Sequence, residues 1–213
     1  MKKKLLFLLA SATMCAGASA AEWQEPVPEH KAISYGDTVY LYNREAKGFF
    51  YGANAWTTHG SVGPKGYKCI LEETENGITI SNMVENKNNQ MFYVFCENQV
   101  HEPYVDYNNN GDIYWDFVDQ GDGSYLMYSK CATTAGMPLG VDVSKDNHTL
   151  LLFTDPEFKD ANYIHWQIVS QEAHAKYMVA FEIYNAATTL GGKIEEATSL
   201  GVNEESINAA KAV

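Results

Sequence analysis

The sequence predicts an all-β domain built from three repeated blocks, followed by a helical tail. Between Tyr35 and about Gln171, short runs of β-branched and aromatic residues alternate with clusters of Gly, Asn and Asp, as strands alternate with turns. Three strand-like octets recur in this region, and a helical spacing of apolar residues begins only after it. Together these observations define the expected fold class.

Composition and charge exclude several classes of protein. With 46% hydrophobic and 20% charged residues, the 213-residue chain has the composition of a globular protein and not of a disordered one. Its formal net charge of −12 disfavours nucleic acid and anionic lipid, which are bound by clustered Lys and Arg. After the N-terminus no apolar run approaches the roughly 20 residues that span a bilayer, so membrane insertion is not expected.

The first element, residues 1–20, predicts a signal peptide. Three lysines precede the short apolar run Leu5–Ala10, and the small residues Ala18-Ser19-Ala20 mark the cleavage position. We therefore expect a secreted or cell-surface protein that begins near Ala21 and keeps 12 basic against 27 acidic residues. A lipid anchor on Cys15 is the alternative, although the residues before it match a lipoprotein signal poorly.

An extended leader, residues 21–35, is expected to precede three blocks of about 45 residues. Each block contains one of the aligned octets, whose first residues lie 46 and 51 positions apart. A block of this length cannot bury a core alone, and closing three of them around a pseudo-threefold axis would remove exposed sheet edges. The octets are Tyr67–Thr74, Ile113–Gln120 and Ile164–Gln171.

The mature chain keeps three cysteines, Cys69, Cys96 and Cys131, with no C-x-x-C spacing. The sequence therefore contains no zinc or redox motif. We interpret them as small buried residues in strands, and a single disulfide is the alternative that an oxidising compartment allows.

Three short motifs make the region from about Gly36 to Gln171 resemble a ricin-type β-trefoil lectin. They are Tyr40-Leu41-Tyr42-Asn43, Gly52-Ala53-Asn54-Ala55-Trp56 and Trp166-Gln167-Ile168-Val169-Ser170. In this order they are most similar to trefoil modules at the front of secreted multidomain proteins of gut Bacteroidales. The resemblance implies a β-trefoil domain over residues 36–171.

The resemblance also implies where sugar would bind. In the family, an Asp and an Asn bind sugar hydroxyls and an aromatic ring stacks on the sugar face, which places the site of the third block at Asp142, Phe153 and Asn162. Leu151 and Ile164 replace glutamines of the family pattern, so Asp142 as a turn residue and Phe153 as a core residue remain the alternative. The matching positions are Asp106 in the second block and Asn54, with the nearby Trp56, in the first. Trp56 is either an exposed ring on which a sugar can stack or a ring that covers the end of the barrel.

The motifs favour binding over catalysis. The six histidines show no metal-ligand spacing, and no nucleophile elbow is present. Asp106–Ile113 copies the first half of an EF-hand calcium loop, but Phe117 stands where the bidentate Glu is needed, so an Asn-rich hairpin turn explains the segment better. We expect no enzyme active site, no cofactor and no metal within the chain.

The last element, residues 172–213, predicts a helical connector. Apolar residues from Tyr177 to Ala197 recur every three or four positions, and a second helix is expected to begin near Glu204. Because no C-cap Gly or Pro ends that helix before Val213 and Lys211 is its only stop-like signal, we expect further domains beyond it. A terminal helix that docks back on the trefoil is the alternative.

Two functions fit these features. The first is a secreted, non-catalytic carbohydrate-binding module that holds a larger protein on a glycan or polysaccharide. The second is a trefoil spacer or protein-interaction module with no sugar site. An exposed aromatic beside a polar partner favours the first, whereas burial of the candidate rings favours the second.

Overall fold

The computed structural model describes residues 23–52, 59–84, 87–94, 103–106, 112–143, 148–153, 163–201 and 204–212. These residues form twelve strands, four in each sequence block, and so confirm the all-β prediction. The strands are β1 Thr38–Asn43, β2 Gly48–Gly52, β3 Gly60–Gly63, β4 Lys68–Thr74, β5 Gly77–Val84, β6 Lys87–Val94, β7 Pro103–Asp106, β8 Tyr114–Asp119, β9 Tyr125–Ser129, β10 Leu139–Asp142, β11 Thr149–Leu152 and β12 Trp166–Ser170.

The first and last strands of the three blocks close into a six-stranded antiparallel barrel. The chain of pairings runs β1–β4–β5–β8–β9–β12 and returns from β12 to β1. The second and third strands of each block form a hairpin, namely β2–β3, β6–β7 and β10–β11. A closed barrel with three hairpins is the β-trefoil that the repeats predicted, and closure leaves the barrel strands no free edge.

Strand register confirms the alignment of the three octets. The third octet residues are Cys69, Trp115 and Trp166, and all three are completely buried. Each faces the equivalent residue of a neighbouring barrel strand. Those partners are Val39, Ile78 and Tyr125.

The two tryptophans also tie the barrel to the hairpins in the same way. The indole N–H of Trp115 donates to the carbonyl of Phe92 at 3.1 Å, and that of Trp166 donates to the carbonyl of Leu139 at 2.9 Å. These bonds satisfy polar groups that would otherwise be buried without a partner. In the first block, the smaller Cys69 occupies the equivalent position.

Residues 31–33 of the leader lie against the barrel. Lys31 forms a β-bridge with Ile168 of β12, where its backbone N–H donates to the carbonyl at 2.8 Å. The N–H of Ile33 donates to the hydroxyl of Tyr125 at 3.3 Å, and the Ile33 side chain packs on the core. These contacts hold the leader beside β9 and β12.

The cysteines behave differently from one another. Cys69 is a buried free thiol in β4, and burial raises its pKa far above the ordinary value. Cys131 lies after β9 and is disulfide-bonded, so the interpretation of this residue as a simple buried thiol was wrong. Cys96 lies outside the described residues.

The long helix α1, Gln171–Ser199, follows β12 directly, and its first three turns pack on the barrel. Within α1, Ala173 and Tyr177 are buried, while Met178 and Phe181 are partly buried. They form a second apolar cluster, distinct from the barrel core. Its barrel members are Tyr40, Tyr42, Phe49 and Val169.

His174 fixes the orientation of this first part of α1. Its ring stacks on Tyr40 with centroids 3.6 Å apart and planes 1° from parallel. Its Nε2 lies 2.7 Å from the carbonyl oxygen of Lys65, a hydrogen bond in which the imidazole donates. Loss of solvation lowers the pKa of His174, and the charge of Lys68 lowers it further, against the raising effect of the bond to Lys65.

Residues 26–181 form one compact unit, and the rest of α1 belongs with the short helix α2, Glu204–Lys211, to another. Helix α1 continues through Gly191-Gly192, and Gly201, with φ of 69°, follows its end. Among the described residues, no helix is both long and apolar enough to cross a membrane.

Candidate functional site

The predicted sugar site of the third block lies at the hairpin β10–β11. Asp142 ends β10, is half-buried and pairs in register with Thr149. Phe153 directly follows β11 and is only 7% exposed. Its ring lies on Gly140, where a Cβ atom would collide with it. Because this ring face is covered by the chain itself, the structure favours the interpretation of Phe153 as a core residue.

The other predicted site residues divide into two groups. Asn54, Trp56 and Asn162 lie outside the described residues, so the hypotheses about them remain predictions. Asp106 is described in backbone only: it ends β7, the third strand of its block, whereas Asp142 ends a second strand. The sequence alignment of Asp106 with Asp142 was therefore wrong.

The register shows which residues correspond across the three hairpins. Each hairpin has a pair of buried apolar residues at the equivalent position, which in the second and third hairpins contains the residue whose carbonyl accepts the tryptophan N–H. Asp106 directly follows Val105, as Phe153 directly follows Leu152, so Asp106 corresponds to Phe153. The three core pairs are Phe50 with Val62, Phe92 with Val105 and Leu139 with Leu152.

The Asn-rich segment that resembles half a calcium loop is described only at its borders. Asp112 exchanges two backbone hydrogen bonds with Val94, and its Oδ1 accepts the N–H of Tyr114 at 2.8 Å. These bonds are those of a strand-like bridge and a short turn. Within the described ranges, no group of three or more His, Cys, Asp and Glu residues is placed to hold a metal ion.

A polar cluster joins the β1–β2 turn to the β8–β9 turn. Arg44 forms ion pairs with Glu45 at 3.1 Å and with Asp122 at 2.7 Å, and Nδ1 of His165 lies 3.3 Å from Glu45. Burial raises the pKa of Glu45, while hydrogen bonds from Ser124 and then Arg44 hold the pKa of Asp122 well below its usual range. Because these ion pairs and hydrogen bonds tie one turn to the other, they indicate a structural role for the cluster.

A partly exposed aromatic surface lies at the first hairpin, β2–β3. Strand β2 reads Gly-Phe-Phe-Tyr-Gly, and alternation sends Phe50 to the core and its neighbours to the opposite face. On that face Phe49 is covered by α1, with its ring centroid 5.3 Å from that of Tyr177. Tyr51 lies beyond this contact and is 39% exposed.

A second ring, Tyr67, is held beside Tyr51 by a glycine turn. Gly66 has φ of 70°, a conformation that favours glycine, and a Cβ there would collide with Phe49. The next N–H, that of Tyr67, donates to the carbonyl of Phe50 at 2.8 Å. The ring centroids of Tyr51 and Tyr67 are 4.8 Å apart, and their planes are inclined at 44°.

Two further glycines make room for the two rings, which we name the tyrosine pair. A Cβ on Gly63 would lie 3.6 Å from the ring of Tyr51, and one on Gly52 would lie 3.1 Å from the ring of Tyr67. Burial and then Tyr51 raise the pKa of Tyr67, while a backbone hydrogen bond with Gly52 opposes this. Tyr67 is therefore neutral at physiological pH, and the pair combines two aromatic faces with phenol hydroxyl groups.

The sequence analysis assigned no role to Tyr51 and did not recognise the pair. Tyr67 opened an octet and was assigned to a strand. The signal that could have revealed them is the spacing of glycines, since Gly52, Gly63 and Gly66 are the small residues against which aromatic rings pack.

Comparison with known proteins supports the fold. No protein-family model matches the chain, and no curated protein matches its sequence. The botulinum neurotoxin serotype D binding domain has a TM-score of 0.52 at 11% identity, over 72% of this chain and 46% of that domain. The botulinum neurotoxin type G receptor-binding domain has a TM-score of 0.51 at 12% identity, over 68% and 45%. This chain thus spans less than half the length of either protein, and at such identity the similarity establishes the fold alone.

Proposed function

We propose that the chain is an exported, non-catalytic carbohydrate-binding module of a larger protein. The observation that carries the proposal is the tyrosine pair, because aromatic faces stack on sugar C–H groups and phenol hydroxyls bond to sugar hydroxyls. Tyr51 lies on the first hairpin and Tyr67 lies just before barrel strand β4, so both rings are attached to strands of the trefoil.

The context of the chain agrees with this role. Residues 1–20 have the pattern of a signal peptide, which would place the module where extracellular glycans occur. A neutral glycan is bound by rings and hydrogen bonds, so the net charge of −12 is no obstacle. The two neurotoxin domains of similar fold are both described as binding domains. Helix α1 would connect the trefoil to further domains, as in the Bacteroidales modules that the sequence resembles.

A second candidate is a trefoil spacer or protein-interaction module. Burial of Phe153 favours it, because the ring predicted to stack on sugar in the third block is part of the core. The two candidates differ in one property: a spacer binds no glycan in any repeat.

A glycan array tests the proposal. The mature chain, beginning at Ala21, is labelled and screened on a multivalent array, because a single shallow site binds weakly and needs multivalent display. The same chain unfolded in denaturant is the control. We expect a restricted set of neutral glycans to retain the folded chain. Absence of any folded-state retention would favour the spacer.

A further inference from the structure

Resting on the proposed function, we propose that the tyrosine pair recognises a single neutral glycan chain, at one sugar ring, and not the flat face of a crystalline polysaccharide. The proposal depends on the relative position of the two rings, on how that position is fixed, and on the charge of the chain. It concerns Tyr51 and Tyr67 alone, without a contribution from the third block.

The angle between the rings argues against a flat ligand. A crystalline polysaccharide presents a plane, and rings that bind it must themselves lie in one plane. The planes of Tyr51 and Tyr67 are inclined at 44°, so both cannot lie flat on such a surface. A single chain has no such requirement, because it offers ring faces and edges in several directions.

The distance between the rings argues for one sugar unit. Centroids 4.8 Å apart are those of two aromatic rings in direct contact, with no room for a sugar between them. The pair therefore forms one contiguous patch instead of two separate platforms. One tyrosine can stack on a sugar face while the hydroxyl of the other reaches a neighbouring sugar hydroxyl.

The geometry is fixed by the backbone and not by chance packing. The ring of Tyr67 lies so close to Gly52 that an added Cβ would come within 3.1 Å of it and force a shift of the ring. An added Cβ on Gly63 would meet the ring of Tyr51 at 3.6 Å, an ordinary contact. Gly52→Ala should therefore move one ring, and Gly63→Ala is its matched control.

The charge of the chain selects neutral ligands. Its 27 acidic residues outnumber 15 basic ones, and the resulting field repels sulfated and uronic-acid chains. The polar atoms of the pair itself are phenol hydroxyls, which bond to hydroxyls without needing a charged partner. We therefore expect neutral hexose or pentose chains.

Native affinity gels and pull-down assays test the proposal. The mature chain is run through gels that contain soluble β-glucan, xyloglucan, galactan or, as an anionic probe, polygalacturonate, and is mixed in parallel with microcrystalline cellulose and chitin. We expect retardation by at least one soluble neutral chain and no depletion by either crystalline solid. Tyr51→Ala, Tyr67→Ala and Gly52→Ala should each weaken retardation about tenfold, whereas Gly63→Ala should not.

Three further variants separate binding from folding. Tyr51→Leu keeps an apolar side chain but has no flat face, and should lose binding with an unchanged melting temperature. Tyr35→Ala removes a tyrosine that is 44% exposed elsewhere on the surface and should bind as the parent does. If Tyr51→Ala fails to fold, Tyr51→Leu and Tyr51→Phe are compared instead. Tyr51→Phe keeps an aromatic ring that stacks on sugar and should still bind, whereas Tyr51→Leu should not.

The outcomes are distinguishable. Binding to no glycan in any form overturns both the proposed function and this inference. Retardation that survives Tyr51→Leu, equal binding to the crystalline solids, or a preference for polygalacturonate overturns the inference and leaves the proposed function standing.

Discussion

In both the first and the third hairpin an aromatic ring packs on a glycine, and the same two positions are used. The ring and the glycine exchange places between the two hairpins. In the first hairpin Tyr51 of β2 lies on Gly63, and in the third hairpin Phe153 after β11 lies on Gly140. The registers make Tyr51 equivalent to Gly140, and Gly63 equivalent to Phe153. Yet Tyr51 is 39% exposed and Phe153 is 7% exposed.

The comparison shows that the trefoil fixes where a ring can lie, while the neighbouring residues decide whether it is buried or offered to solvent. Ile164 lies beside Phe153 at the Gly140 position. Tyr51 lies beside Gly63 and the ring of Tyr67 and is still 39% exposed. The same two positions thus hold a buried ring in one block and a partly exposed ring in another.

The largest expected effect is on stability. Phe153→Ala should lower the free energy of unfolding by about 3–5 kcal/mol, as for other buried aromatic residues. Tyr51→Ala should change it by less than about 1 kcal/mol, because the ring is partly exposed. Urea unfolding of both variants beside the parent gives the values. Equal losses would show that the two rings are equally part of the core.

The glycines provide a second, smaller contrast. Gly140→Ala should destabilise the protein by about 1–3 kcal/mol, because the new methyl group collides with Phe153 and Ile164. Gly63→Ala should have almost no effect, since its methyl group would lie 3.6 Å from Tyr51. Thermal melts of the two variants test this. A marked loss from Gly63→Ala would mean that the first hairpin is as tightly packed as the third.

A pH effect is expected where α1 covers Phe49, the other outward residue of the first hairpin. The pKa of His174 is lowered in the folded protein, so the folded state binds fewer protons than the unfolded state. The contribution of His174 to stability is then complete above its ordinary pKa of about 6.5 and is lost as the pH falls below that value.

His174→Phe keeps a ring on Tyr40 but removes the titrating group. As the pH falls from 7.5 to 5, the unfolding free energy of the parent should therefore decrease relative to that of the variant. Urea unfolding at several pH values measures it. A difference that does not change with pH would show that His174 has the same protonation in both states.

The barrel could be predicted from the sequence because its signals repeat. Trp115 and Trp166 occur at the same place in their octets, and the fold buries both in the same way. Cys69 shows that the position tolerates a smaller residue, so the alignment depended on the whole octet. Because the octet pattern occurs three times, each weak match to a barrel strand supported the other two.

The tyrosine pair could not be predicted in the same way. The Val-Asp pairs ending at Asp106 and Asp142 look alike in sequence but end different strands of their blocks. The surroundings of Tyr51 include the ring of Tyr67, which is sixteen positions away in the sequence and comes close only in the folded chain. Helix α1 also continues through Gly191-Gly192, although glycine has a low helix propensity. Helix propensity alone therefore does not predict where α1 ends.

The most direct test of the account compares one variant from each hairpin on the same ligand. The glycan that retains the folded chain on the array is titrated by calorimetry into the parent, Tyr51→Ala and Asp142→Ala. Thermal melts first show that both variants have the melting temperature of the parent. We predict that Tyr51→Ala weakens binding at least tenfold and that Asp142→Ala binds as the parent does. Loss of binding in Asp142→Ala, with full binding in Tyr51→Ala, would contradict the account and place the site on the third hairpin.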